Sequence, residues 1–560
     1  MALSTARAAP APAAAGFSAR PLAGTADLRW VLGAVLAVLG ISAIPLALGA
    51  VLGPRDLVLG GTLWFVQDAP QYFAAMREGA SAGSWLIHDH FSAEPHAEAF
   101  MFPLYVGLGK LAAGAGWSNQ AMFAAAEWIG RVLVVLSLAW FAATFLDDRR
   151  ARRLAVLLAL GTLGLAGWAI PWWLMQRAVG GGVSGIGVAP NVNVFLEMGS
   201  FGVLFAAPHI MFGLALTLAT APLALRAQRG GRRWTALLAA CTISLALVHP
   251  FNLPVLLSVL AADGGLRARA QRSLRPLVPP ALAILAALPL LAATVLPFLV
   301  DPFWARTYGA QNQMPAPPPW SLPIDYGLVL LAAPFGAIAA RGWRDEQRRL
   351  LLLWVGLGLL WLYVPVPYQR RFAFGTQPAL AVLAAAGLLG ANAWMRERAW
   401  DGLRRRAVNY AVALAASMTL VMTYLSLIAS VTTNRPVPVY SWTRAEADAA
   451  SWLAGKSDER TVVLASPAFS NPLAGAIDGR VIAGHPVATL DMLGKEALVR
   501  SAFAGSVDAL CRSGATIAAL GPSEVELGGE SLLKLPGVRT LRERDGVAWL
   551  ALDRRVLCGE

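Results

Sequence analysis

Little of this chain is charged: 14% of its 560 residues are Asp, Glu, Lys or Arg, against about 25% in a soluble globular protein. With 57% hydrophobic residues and a mean hydropathy of +0.56, the shortage excludes a soluble globular protein and leaves a polytopic membrane protein. Acids are scarcer than bases, 33 against 46, for a formal net charge of +13. That excess needs no nucleic acid to explain it. The arginines cluster in short loops between apolar runs, as the positive-inside rule expects of cytoplasmic loops. Cysteine is scarce too. Of three, Cys241 falls inside an apolar run as a small filler, and Cys511 and Cys558 could pair if their region faces an oxidising compartment. No internal repeat is present, which excludes a solenoid.

What is present is a series of apolar runs separated by basic loops. Residues 1–29, rich in Ala and Pro with Arg7, Arg20 and Arg29, read as a disordered cytoplasmic tail. The loops Arg149–Arg153, Arg226–Arg233, Arg267–Arg275, Arg341–Arg349 and Arg396–Arg406 read as cytoplasmic, so the chain between them crosses an even number of times. That places spans near 30–52, 119–146, 154–175, 201–225, 235–248, 250–262, 277–300, 323–340, 350–366, 372–394 and 410–431, eleven in all. The N-terminus is then inside and the C-terminus outside, in a plasma (inner) membrane. Residues 235–262, 28 in number, are too many for one upright helix and too few for two full ones. With basic flanks on both sides they predict two short helices meeting at the proline-broken tip 249–254. Segment 99–114 reads as a helix lying at the outer interface. From about 432 to 560 the long apolar runs end. Short apolar strings at 461–466, 480–484, 516–521 and 548–552 read as buried strands, and 493–505 and 507–513 as helices, which together predict a small outward-facing α/β domain.

Between the first two spans, residues 53–118 form an unusually long outer loop. Its stretch 64–98 carries Asp68, Asp89, Glu94 and the histidines His88, His90 and His96. With His209, His249 and His485, all six histidines fall on the outer side, as groups converging on a polar cavity would. Asp68, flanked by Trp64, Phe65, Val66, Tyr72 and Phe73, is the candidate base: partial desolvation makes a carboxylate a better proton acceptor. Asp before Ala-Pro is also a common helix start, and the two roles are compatible. Asp89 is the second candidate acid. His88, His90, Glu94 and His96 are expected to order acceptor hydroxyls. The same residue types would also suit a divalent ion, magnesium or manganese, although no strict ligand spacing is present. Gln369, Arg370 and Arg371 lie on the outer side by parity, against the positive-inside trend. The planar forks of the arginines suit phosphate, with Arg306, His209 and His249 as helpers around the substrate. Glu127 and Arg131, spaced i,i+4 in one span, are the few charges that would mark a transport path.

These residues resemble the C-type (GT-C) membrane glycosyltransferases, in architecture over most of the chain and in motif at a few places. Asp68 in QDAPQY takes the position of that superfamily's catalytic acid. PHIMFG at 208–213, VHPF at 248–251, YGAQNQMPAPPP at 308–319, PYQRRF at 367–372 and AGHPVATLDMLGKEALV at 483–499 are similar to a branch of bacterial membrane proteins. Many members carry two adjacent acids, whereas Asp68 stands alone. The resemblance implies transfer of a sugar from a polyprenyl-phosphate donor to a glycan, lipid or protein acceptor outside the cytoplasm. The alternative is a non-enzymatic protein of the same architecture serving cell-surface polymer assembly or export.

Overall fold

The computed structural model describes residues 25–81, 83–168 and 196–559. The tail before Thr25 and the second half of the span expected at 154–175 therefore lie outside the described residues. Helix α1 (Thr25–Leu52) is followed by α2 (Ala69–Ser81), α3 (Pro103–Ala115), α4 (Asn119–Phe145) and α5 (Arg149–Gly161). Next come α6 (Pro208–Gln228), α7 (Arg232–Val248), α8 (Leu253–Gln271) and α9 (Val278–Val300). The last four of the bundle are α10 (Leu328–Ala339), α11 (Asp345–Trp361), α12 (Thr376–Glu397) and α13 (Gly402–Thr433). Local chemistry starts several of them: Ser118 Oγ accepts from Ala121 N at 3.1 Å and Asp148 Oδ2 from Ala151 N at 2.8 Å, each supplying a partner to an otherwise unbonded first-turn amide.

Among the described residues six helices are long and apolar enough to cross a membrane, seven if the pair bent by 96° at 319–339 counts as one. This is fewer than the eleven expected, and for three of the four that fall short the reason is length. Helix α5 has 13 residues and α7 and α11 have 17, a rise of about 20–26 Å against a hydrocarbon core of roughly 30 Å. The paired short helices α7 and α8 do meet at the proline-rich tip, as expected, through a 3-10 turn at Pro250–Asn252.

The two ends of the bundle differ in chemistry. At one end Asp27 pairs with Arg149 (3.5 Å) and Arg152 (3.4 Å), and Asp263 with Arg267 (2.8 Å) and Arg349 (2.7 Å). Glu346 there joins Arg229 and Arg267. Four of the five basic loops are thus engaged by acids in these clusters. At the far end of α1, strand β1 (Leu57–Leu59) pairs antiparallel with β2 (Tyr440–Thr443), which follows α13.

Beyond β2 lies an α/β domain. It holds helices α14 (Arg444–Ala454), α15 (Pro467–Ala474), α16 (Met492–Phe503), α17 (Val507–Ser513) and α18 (Arg554–Cys558). Its strands β3 (Val462–Leu464), β4 (Arg480–Val481), β5 (Ile517–Leu520), β6 (Val538–Arg544) and β7 (Val547–Leu552) form one sheet in the order β4-β3-β5-β7-β6. Both faces are covered because side chains alternate along each strand. Val463, Val547 and Trp549 pack with Phe469 on one side, and Leu464, Leu550 and Leu552 pack with Phe503 and Leu510 on the other. Cys511 and Cys558 form a disulfide joining α17 to α18.

The stretch read as a polar loop holds α2, which begins directly after Asp68. Its helical face was hidden because the surface it buries comes from residues roughly 400 positions later. Arg77 donates to Asp478 at 3.0 Å and Asn471 to Gln67 O at 3.0 Å. Helix α2 also crosses α3 at backbone contact. A Cβ at Gly79 would meet Val106 O at 2.3 Å, and one at Gly109 would meet Met76 O at 1.9 Å.

Candidate active site

Because glycine lets α2 and α3 touch, Tyr72 and Tyr105 stack at 4.3 Å between ring centroids. Tyr72 lies one turn past Asp68, and a wall of rings leads away from it. Its edge meets His209 at 5.1 Å, His209 stacks on His249 at 5.8 Å, and His249 stacks on Phe374 at 4.9 Å. Phe251, 5.9 Å from His249, carries the Arg371 guanidinium on its face at 4.4 Å. Asp68 and Arg371 act on the same buried phenol: burial raises the Tyr72 hydroxyl well above its ordinary value, the Asp68 charge raises it further, and the Arg371 charge opposes both. The aspartate and one of the two arginines therefore face a common region.

The arginine pair is not equivalent. Arg370 Nε lies 3.2 Å from Glu197 Oε2, so much of its charge is matched. The half-buried Arg371 is held by the Phe251 ring, and its buried Nε has no hydrogen-bond partner among the described residues. Gln369 is held by backbone groups on both sides. Its Oε1 accepts from Ala316 N (3.2 Å) and its Nε2 donates to Val364 O (2.9 Å), clamping the proline-rich 315–320 segment. Arg306 is exposed on the turn of π-helix Ala305–Gln311, while Tyr308 of that turn points inward.

Asp68 ends a 3-10 turn, Val66–Asp68, with its side chain 38% exposed. Its Oδ1 lies 3.0 Å from Nε2 of His485, a residue of the α/β domain. Gln71 bridges His485 Nε2 (2.8 Å) and the Tyr308 hydroxyl (2.7 Å). His209, on the first turn of α6, has Nδ1 2.7 Å from the Tyr105 hydroxyl. His249 is buried, with Nδ1 unpartnered among the described residues.

Most of the loop residues expected to order acceptor hydroxyls are engaged within the protein. His90 Nδ1 donates to Gly479 O (2.8 Å) and its Nε2 meets Glu78 Oε1 (2.6 Å); burial opposes ionisation of Glu78, but the bond and charge of His90 outweigh it and hold the carboxyl below its usual range. His96 Nε2 accepts from Asp89 N and its Nδ1 donates to Glu94 O, both at 2.8 Å, with the ring stacked on Phe303 at 4.2 Å. Glu94 pairs with Lys495 and accepts from Ser92 Oγ at 2.6 Å. His88 sits more openly, 3.9 Å from both Glu78 and Glu98. The loop thus ties the membrane helices to the α/β domain. Among the described residues no three of His, Cys, Asp or Glu gather as metal ligands.

Asp89, the second candidate acid, is buried, only 3% exposed. Burial pushes its carboxyl up to about 8, against the bond from Phe91 N. Its Oδ2 has no partner among the described residues, beside a cavity of about 10 Å³, room for about one water, lined also by Gln71, His90 and Tyr308.

Residues given no role in the expected site are Gln71, Tyr72, Tyr105, Tyr308 and Glu197, and His485 was expected only as one of the outer histidines. Gln71 and Tyr72 lie within QDAPQY, Tyr308 opens YGAQNQ and His485 lies within AGHPVAT, so the motifs held them; their partnerships span the whole chain.

No protein-family model matches the chain, and no curated protein does. Solved structures do. The arabinofuranosyltransferase AftD from Mycobacteria superposes with a TM-score of 0.50 at 14% identity, over 94% of this chain and 40% of AftD. A variant of AftD gives 0.50 at 15% identity, over 93% and 41%. The chain thus spans about two fifths of AftD's length. ArnT from Cupriavidus metallidurans with undecaprenyl phosphate is more distant at a TM-score of 0.46, 15% identical over 94% of this chain and 98% of ArnT. The fold is the C-type (GT-C) one, a multi-pass helical membrane fold.

Proposed function

We propose that this chain is a membrane glycosyltransferase that moves a sugar from a polyprenyl-phosphate donor to an acceptor hydroxyl on the extracytoplasmic side. The observation that carries it is a half-open carboxylate one turn from Tyr72 and an arginine with no acid partner among the described residues, linked by the ring contacts of Tyr72, His209, His249 and Phe251. Asp68 takes the proton of the acceptor hydroxyl. The acceptor oxygen attacks the anomeric carbon, and the bond from that carbon to the phosphate oxygen breaks with inversion. The phosphate leaves with the electron pair, held by Arg371 in a charge-assisted bond.

The side of the membrane is supported by charge. Four of the basic loops pair with acids at the ends of helices away from β1 and β2, and under the positive-inside rule this supports an extracytoplasmic α/β domain. The disulfide suits that compartment.

The test is sugar transfer by purified protein from a synthetic polyprenyl-phosphate sugar. A positioned base contributes about 10²–10⁴-fold. Asp68→Asn should lose that much in kcat with donor KM nearly unchanged, and wild-type turnover by this variant would remove Asp68 from the reaction.

A further inference from the structure

His485 belongs to the α/β domain, yet its ring is 4% exposed and ends at Asp68, on the membrane helices. Its protonation follows from its neighbours. Nδ1 receives the backbone N–H groups of Val487 (3.1 Å) and Ala488 (3.2 Å). Backbone amides only donate, so Nδ1 carries no hydrogen, the ring is neutral and its single N–H is on Nε2. That N–H faces Asp68 Oδ1 at 3.0 Å and the Gln71 amide at 2.8 Å.

The Gln71 amide can then be oriented by elimination. An N–H facing an NH2 group would set two donors together, so the amide oxygen faces His485 and the nitrogen faces the Tyr308 oxygen. The Tyr308 hydroxyl adjoins the Asp89 carboxyl. The ring is also fixed through its backbone: Thr489 Oγ1 accepts from His485 N (3.1 Å), and Thr489 N donates to His485 O (2.9 Å).

We infer that His485 is a positioning residue for Asp68: a neutral imidazole, brought by the α/β domain, whose Nε2–H occupies Oδ1 and leaves Oδ2 turned to the acceptor. This rests on the proposed transfer chemistry. A charged imidazolium at the same place would form an ion pair with Asp68 and weaken it as a base. A neutral donor orients the carboxylate without that penalty. The consequence is that the base is competent only when the two domains are docked.

The experiment compares His485→Ala with His485→Gln in the full-length protein, alongside ¹⁵N NMR of histidine-labelled wild type. Losing a hydrogen bond to a charged group costs about 1.5–3 kcal/mol, roughly 10–100-fold. The Ala variant should lose that much in kcat with donor KM within about twofold of wild type. The Gln side chain places an N–H near the position of Nε2 and should recover most of the loss, which a purely structural role would not predict. The NMR signal absent from the Gln variant should be pyridine-type at Nδ1 and pyrrole-type at Nε2, and the Nε2 signal should shift in Asp68→Asn. A protonated Nδ1, an Nε2 signal indifferent to Asp68→Asn, or a Gln variant no better than Ala overturns the inference. If wild type transfers no sugar yet shows the expected tautomer and the Asp68-dependent shift, the positioning contact stands and the reaction assigned to the site is what fails.

Discussion

Arg370 Nε stands 3.2 Å from Glu197 Oε2, while the next residue, Arg371, turns to the face of Phe251 instead. One arginine of the pair is matched by an acid; the other has no acid partner among the described residues and, under the proposed reaction, is the one left for the donor phosphate. Arg371→Ala should therefore raise the donor KM by about 10–100-fold, the value of one charge-assisted hydrogen bond. Arg370→Ala should mainly lower thermal stability, because it leaves Glu197 half-buried without its cation. Donor titrations and unfolding curves on the two variants separate these effects, and equal losses of donor affinity would contradict the assignment.

The contact between α2 and α3 makes a second prediction. Gly109→Ala would set a methyl 1.9 Å from Met76 O, so the helices must part. Overpacking of this kind costs about 1–3 kcal/mol. The shift also moves Tyr72 and Asp68, so kcat should fall together with the melting temperature. Gly114→Ala, on the same helix with open space around it, should change neither.

Asp89 gives the protein a pH dependence. Its carboxyl moves from an ordinary value of 3.8 to about 8 through burial, so the folded state holds a proton that the unfolded chain releases. The sign follows by linkage: this stability is full below about pH 4 and is lost as pH rises through about 8. The melting temperature should fall between pH 5 and pH 9, and Asp89→Asn should flatten the component of that fall due to this group. A slope unchanged in the Asn variant would show that Asp89 is not its source.

The disulfide between α17 and α18 closes a separation of 47 residues. Replacing both Cys511 and Cys558 with Ser should destabilise the α/β domain by about 2–4 kcal/mol. Peptide mapping of unreduced protein should recover the linked pair. Recovery of free thiols at both positions would place the domain in a reducing compartment and contradict the proposed side.

The chain announces some of this architecture plainly and hides the rest. The α7–α8 tip was legible because His249-Pro250-Phe251-Asn252-Leu253-Pro254 breaks helix wherever it stands. Strands β3, β5 and β7 were legible because they are buried on both faces and read as continuous apolar runs. The edge strand β6 was missed: its VRTLRER is largely polar and exposed. Asp68 and Arg371 could be nominated from local anomalies of charge. Their partners could not, because the distance from Asp68 to His485 is 417 positions along the chain and only folding makes them neighbours. Glu94, His90 and His96 show the converse error. Histidines and acids crowded in sequence suggested chemistry, yet in space His90 and Glu94 reach across to the α/β domain and His96 braces the loop itself.

The short ribbon of β1 and β2 has a mechanical consequence. It stitches the chain leaving the first long helix to the chain leaving the last, so the α/β domain is anchored at two remote points of the polypeptide rather than hung from one tether. A protease that cut between Asn434 and Val439 would sever the covalent connection without setting the domain adrift, and the two fragments should still migrate as one particle.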